Sequence, residues 1–252
     1  MQPILIYPAG GTPACLAAAR ELSGRGIAVT DHITPEATHL LMDVPSFSAE
    51  GVLRSGANFS QLMARFPEGI TLIGGRIPEA VSANYPAIDL LKDDTYQFEN
   101  AAITAECALR TAAERISFTF RKCNLLIVGW GRIGKHLAFL LKAHGARVTI
   151  LSRSPQHRAE AISFGMQAVS PAALANRIQG FRIIFNTAPS VMIPRELACQ
   201  NESCLKIDLA SLPGIEGEDV IRAGGLPGIH TPESAGQLMA DTILRLIGED
   251  IG

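Results

Sequence analysis

Gly129-Trp130-Gly131-Arg132-Ile133-Gly134 has the spacing that holds a dinucleotide, and it stands between an apolar run, Leu125 to Val128, and a stretch with helical periodicity. Each glycine answers a separate need. Gly129 permits a tight turn, Gly131 lets a pyrophosphate come against bare backbone, and Gly134 lets the helix lie close to the strand. The phosphates then meet the unpaired N–H groups and the positive dipole end of a helix beginning near Arg132. Trp130, Arg132 and Ile133 belong to the same cofactor-binding loop, with Trp130 expected to pack against the turn or the other domain. The end of the next strand selects the nucleotide, because an acid about 20 residues past the first glycine would accept the ribose hydroxyls of NAD. This chain reads Ser152-Arg153-Ser154 there. A cation flanked by hydroxyls suits a 2′-phosphate, so the expected cofactor is NADP. Asn186-Thr187-Ala188-Pro189 and Asp208 with Ser211 close two later strands, and ligands in such sheets lie beyond the carboxyl ends of the strands. Thr187 and Ser211 either hold the nicotinamide ribose or amide or make ordinary turns.

These groups need a scaffold of alternating strands and helices. Short apolar runs at Ile4 to Tyr7, Ile27 to Thr30, His39 to Met42 and Ile70 to Ile73 alternate with helical patterns at Ala14 to Arg25 and Phe59 to Phe66. Pro78 to Asp94 reads as a polar connection, and Glu99 to Ile116 as one long, Ala-rich spine helix. A second series follows: Leu125 to Val128, Ile133 to His144, Arg147 to Leu151, Gln156 to Phe164, Gln167 to Val169, Ala172 to Arg177, Ile183 to Asn186, Pro194 to Ala198 and Leu205 to Leu209. The fold class expected is α/β: a Rossmann-type doubly wound parallel sheet as the NADP domain, plus a smaller flavodoxin-like α/β amino-terminal domain, joined by long inter-domain helices. The expected division is residues 1–98 for a substrate domain and 99–231 for the dinucleotide domain with its leading spine helix. A helix over 232–248 is expected to return to the first domain.

Composition narrows the partners. Of 252 residues, 47% are hydrophobic and 18% charged, which is globular rather than disordered. With 22 basic against 24 acidic residues the net charge is -2, so no field of one sign attracts nucleic acid or an anionic membrane. The apolar run Leu125 to Trp130 falls far short of the roughly 20 residues that cross a bilayer. Met1 to Tyr7 enters a strand pattern without a basic region or cleavage site, so a cytoplasmic location is expected. The 5 cysteines are odd in number and contain no C-x-x-C, which disfavours a disulfide framework and a zinc site. His32, His39, His136, His144 and His157 are not spaced as ligands, and no metal is expected.

Over Asp94 to Gly248 the chain resembles the first-subunit family of dipicolinate synthase, a spore-associated oxidoreductase. The resemblance is carried by Asn100 to Glu106, Gly129 to Gly134, Arg153-Ser154, Asn186 to Ser190, Ile207 to Gly214, Leu226 to Ile229 and Ser234 to Gln237. It implies that a dihydrodipicolinate-type ring loses hydride to NADP⁺ and becomes pyridine-2,6-dicarboxylate during sporulation. It also implies the flavoprotein-like second subunit of dipicolinate synthase as partner, and a homo-oligomer is expected. Two other readings stand beside it: an NAD(P)-dependent dehydrogenase of another small carboxylate, and a non-catalytic NADP-binding regulatory protein.

Aromatisation needs a base near the ring and cations or N–H donors for two carboxylates. Glu106, read as lying near the start of the spine helix, either takes the ring proton or complements the helix dipole. His230, read as part of a loop over the nicotinamide, is the other candidate base, since imidazole suits proton traffic. For the dicarboxylate, Gly10 and Gly11 open a helix that presents N–H groups, and Arg54 offers a bidentate clamp. Asn100 and Thr104 either bind substrate or cap the spine helix. Asp93-Asp94 reads as a solvated pair.

Overall fold

The computed structural model describes residues 3–48 and 50–249. The chain forms two compact units, one of residues 1–100 with 227–252 and one of residues 101–226. The first unit contains β1 (Leu5–Pro8), α1 (Pro13–Gly24), β2 (Ala28–Val29), β3 (His39–Leu41), α2 (Phe59–Met63), β4 (Thr71–Gly74), α3 (Glu79–Ser82) and β5 (Ala87–Asp89). Its strands pair in parallel in the order β2-β1-β3-β4-β5, the flavodoxin-like arrangement. Thr12 starts α1 by accepting from the Cys15 N–H at 3.3 Å, and Pro13 fits the first helical position, where no N–H is needed. β5 lies inside the stretch read as a connection. It has only three residues, too few for alternation to register, and the Asp89 carboxylate anchors it by accepting from the N–H groups of Arg76, Ile77 and Leu91, each at 3.0 Å.

The elements that follow are α4 (Asp94–Ala113), β6 (Asn124–Val128), α5 (Arg132–Ala143), β7 (Arg147–Leu151), α6 (Pro155–Ser163), β8 (Gln167–Val169), α7 (Pro171–Leu174), β9 (Ile183–Asn186), α8 (Arg195–Ala198), β10 (Leu205–Asp208) and β11 (Val220–Arg222). Strands β6 to β11 form a six-stranded parallel sheet in the order β8-β7-β6-β9-β10-β11, which is the Rossmann arrangement 3-2-1-4-5-6. Period-2 alternation divides its core between two faces. Leu125, Ile127, Ile150, Phe185 and Ile207 pack with Leu137 and Leu141 of α5 and with Ala105, Ala108 and Ala112 of α4. On the other face Leu126, Val128, Leu151 and Ile184 pack with Ile178, Phe181, Ile193 and Ile215. β11 did not emerge from the sequence pattern, since three residues after Glu218-Asp219 carry no readable period.

Helix α4 begins at Asp94, five residues before the expected start, and ends at Ala113 rather than Ile116. Asp93 sets that start: its Oδ1 accepts from the Tyr96 N–H and from Arg245 Nη2, both at 2.7 Å. It is a cap and an ion-pair partner rather than half of a solvated pair. Asn100 and Thr104 therefore lie inside the helix and do not cap it. Glu106 sits in mid-helix and exposed, where the N-terminal dipole does not reach.

Two helices close the chain. α9 (Leu226–His230) takes the place of the expected loop, and α10 (Pro232–Glu249) packs against α1. At Gly236 the helices approach so closely that a Cβ would stand 2.5 Å from Ala17 Cβ and 2.7 Å from the Ala18 nitrogen. Among the described residues no helix is long and apolar enough to cross a membrane.

Candidate dinucleotide site

The glycine motif forms the turn between β6 and α5, at the carboxyl edge of the Rossmann sheet. Gly129 has φ +98°, and a Cβ there would stand 2.7 Å from Thr187 Oγ1. At Gly134 a Cβ would fall 2.6 Å from the Gly129 carbonyl oxygen, so only glycine lets α5 settle on the turn. Gly131 is different: no atom lies within 4 Å of the position of its missing Cβ, which leaves the backbone open to a ligand. It is the N-cap of α5 and provides no side-chain cap, so the first amides of the helix are available to an anion. These features fit a bound pyrophosphate.

Trp130 is buried. Its ring packs at 6.5 Å from both Phe139 and Phe164, with Lys135 Nζ 5.6 Å above it. Lys135 donates to Glu160 Oε1 at 2.6 Å and holds that carboxyl below its usual range, so turn, α5 and α6 are fastened together. Ile133 packs against the core, and Arg132 is exposed.

Beyond β7 the chain turns through Ser152, Arg153 and Ser154. Ser152 is buried and its Oγ accepts from the Ser154 N–H at 3.2 Å; Ser154 caps α6 by accepting from the His157 N–H at 3.3 Å. Arg153 is exposed and donates to Ser190 Oγ at 2.5 Å. Arg158 donates from Nη1 to the carbonyls of Ser152 at 2.7 Å and Arg153 at 2.8 Å, which ties the turn to α6. Arg158 went unmarked in the sequence, although its signal is there: an arginine one turn into the following helix reaches back to the strand end.

The next two strand ends are arranged differently from the expectation. Asn186 and Asp208 are buried and engage one another, Nδ2 to Oδ1 at 2.7 Å, rather than opening toward a ligand. Asn186 also donates to the Ala188 carbonyl at 3.0 Å and accepts from the Ala188 N–H at 3.2 Å. Asp208 accepts from the N–H groups of Ala210 at 3.1 Å, Gly214 at 2.8 Å and Ile215 at 3.3 Å, and from Arg222 Nη1 at 2.6 Å. One carboxylate thus shapes the loops after both strands. Thr187 donates its hydroxyl to the Val128 carbonyl at 2.9 Å and overlies the glycine turn. Pro189 and Ser211 are exposed.

In the first unit, Gly10, Gly11 and Arg54 share the carboxyl edge of the flavodoxin-like sheet. The mouth of α1 does not stand open to a substrate anion, because Asp43 fills it. Its Oδ2 accepts from the Gly11 N–H at 3.2 Å, and its Oδ1 from the Thr12 N–H at 3.0 Å and Thr12 Oγ1 at 2.6 Å. Asp43 was not foreseen, since its partners lie more than 30 positions earlier in the chain. Burial and then the Asp43 charge push the neighbouring Cys15 thiol up to about 12. The Arg54 side chain is exposed while its N–H donates to the Ser46 carbonyl at 2.9 Å. His230 ends α9, half-buried.

Residues 95–191 match the NAD-binding domain of the D-isomer specific 2-hydroxyacid dehydrogenases. The first subunit of dipicolinate synthase from Bacillus subtilis (strain 168) is 28% identical over 179 residues, which cover 68% of this chain and 60% of that protein. The crystal structure of the same subunit from Bacillus halodurans superposes with a TM-score of 0.80 at 21% identity, covering 98% of both chains. That of the Bacillus subtilis protein gives 0.79 at 22% identity, over 99% of this chain and 97% of the other. The resemblance to the first subunit of dipicolinate synthase read from the motifs is borne out, and the glycine turn falls within the stretch that matches a dehydrogenase NAD-binding domain.

Proposed function

We propose that the protein is an NADP-dependent oxidoreductase that converts a dihydrodipicolinate-type ring into pyridine-2,6-dicarboxylate, in the cytoplasm of sporulating cells. The observation that carries the nucleotide choice is the turn after β7. It contains no carboxylate to accept ribose hydroxyls, and it holds Arg153 exposed between two serines, with Arg158 fixing its backbone. When bound there, the nicotinamide accepts hydride. The chain's own groups receive and orient: the Gly131 backbone and the first amides of α5 take the pyrophosphate, and Arg153 takes the 2′-phosphate. Thr187, Ala188, Pro189 and Ser211 border the ribose and amide. Asn186, Asp208 and Arg222 keep those loops in place.

The substrate role rests on the resemblance to dipicolinate synthase, since a dicarboxylate ring that loses hydride must also lose a proton. With the mouth of α1 closed by Asp43, Arg54 is the cation proposed for one carboxylate, with Asn100 and Thr104 as hydrogen-bonding groups. Glu106 and His230 are the proposed bases. The flavoprotein-like second subunit of dipicolinate synthase is the proposed partner, and the chain is proposed to form a homo-oligomer.

The test follows NADPH formation with freshly prepared dihydrodipicolinate, with and without that second subunit. Turnover is expected with NADP⁺, and the variant lacking the base, Glu106→Gln or His230→Asn, loses on the order of 100- to 10,000-fold of it. Full turnover in both variants removes both residues from the role. Tight NADPH binding without oxidation, under either condition, replaces the catalytic reading with that of a binding protein.

A further inference from the structure

The Rossmann unit carries a second concave site at the opposite edge of its sheet. The site is a cavity of about 410 Å³ where β6, β7 and β8 begin, closed on one side by the crossover that enters β9. That volume is in the ordinary range for a small-molecule site. Arg147 and Arg177 both line it, together with Asn124, Gln167, Thr149 and Phe181, and none of its lining residues is acidic. Strand register sets the polar wall, since Asn124 pairs with Arg147 and Thr149 with Gln167. Gln167 Oε1 accepts from Arg177 Nη2 at 2.7 Å and holds that guanidinium in place. Among the described residues neither arginine has a carboxylate partner, so two like charges face one cavity without a counter-ion.

Thr149 adds a hydroxyl to the polar wall. It is 3% exposed, lines the cavity, and its hydroxyl makes no hydrogen bond among the described residues. Its hydroxyl is therefore open to hydrogen-bond a polar group bound in the cavity. The site is separate from the glycine turn by the length of β6, roughly 13 Å at about 3.3 Å per residue.

We propose that this cavity binds a small organic or inorganic anion bearing phosphate or carboxylate groups, held by Arg147 and Arg177 and hydrogen-bonded by Thr149. The site stands independently of the nucleotide site and of the reaction proposed above. The test titrates the intact protein calorimetrically with sodium pyrophosphate and, separately, with citrate, at low ionic strength and with NADPH saturating so that the glycine turn is blocked. One anion is expected to bind per chain, pyrophosphate or citrate identifying the group preferred. Arg147→Ala and Arg177→Ala each weaken that binding roughly 10-fold or more, as expected for a charge-assisted hydrogen bond. Thr149→Val weakens it a few-fold while leaving the melting temperature in place, and NADPH affinity is unchanged in all three variants. Absence of binding by both anions, or binding that both arginine variants retain in full, overturns the proposal. Should NADPH itself fail to bind, the titrations are read on the arginine variants alone, so the two readings fail separately.

Discussion

Asp208 shows how one side chain governs a whole edge of the site. Its two oxygens collect three backbone N–H groups, the Asn186 amide and the Arg222 guanidinium, while the residue itself is 2% exposed. Asp208→Ala leaves those donors without an acceptor, and urea unfolding is expected to show a loss of about 2–4 kcal/mol. A loss below about 0.5 kcal/mol would show that the loops hold themselves. Half of this arrangement was legible. Gly129 and Gly134 shape the turn where the chain places them, Gly131 leaves it open, and Arg153 stands exposed at the strand end its position indicated, so their spacing was enough to find them. Arg222 and Asp43 act across folded distance on partners that no local pattern names, and Asn186 and Asp208 looked like ligand groups because strand ends usually are.

The thiols give a second test at this scale. Cys199 is exposed, whereas Cys15, Cys107, Cys123 and Cys204 are buried, and burial pushes Cys15 and Cys204 up to about 12. At about pH 8 these two are protonated, and the thiolate is the reactive form. A disulfide reagent is expected to find one fast thiol per native chain, lost in Cys199→Ser, and all 5 after denaturation. Two or more fast thiols in the native protein would contradict the burial.

Among elements, the junction of α1 with α10 depends on close approach more than on charge. Arg20 pairs with Glu233 at 2.7 Å, but both side chains are largely exposed, at 62% and 76%, so Arg20→Ala should cost under about 1 kcal/mol. Gly236→Leu must push α10 off the backbone of α1 and should cost about 1–3 kcal/mol or more by thermal unfolding. If the arginine variant proves the more harmful, surface charge holds these helices. The longer elements were readable because they run for more than one period: β7 has the residues expected of it, and α5 and α6 differ by a residue or so at their ends. The elements missed, α3, β5, β11 and α9, have three to five residues. The start of α4 was misplaced because Thr95, Tyr96 and Phe98 are weaker helix formers than the alanines that follow, and the capping by Asp93 outweighs them.

At the scale of the molecule, both sheets are parallel, and each gathers its polar loops at the carboxyl edges of its strands, as such sheets require. The net charge of -2 provides no long-range pull on an anionic cofactor, so nucleotide choice must come from local groups. Alternation along the chain made this two-sheet architecture legible, and the glycine turn marked which sheet matches an NAD-binding domain. The central claim is that backbone amides at the mouth of α5 take the pyrophosphate while Arg153 takes the 2′-phosphate. Direct titration of the purified protein with NADPH and NADH, followed by nicotinamide fluorescence, tests it most directly. NADPH is expected to bind roughly 10-fold or more tightly than NADH, with Arg153→Ala weakening it by roughly 10- to 100-fold and leaving NADH nearly unchanged. Equal affinity for the two nucleotides in the wild-type protein, or an Arg153→Ala variant that keeps the full preference, would contradict the claim.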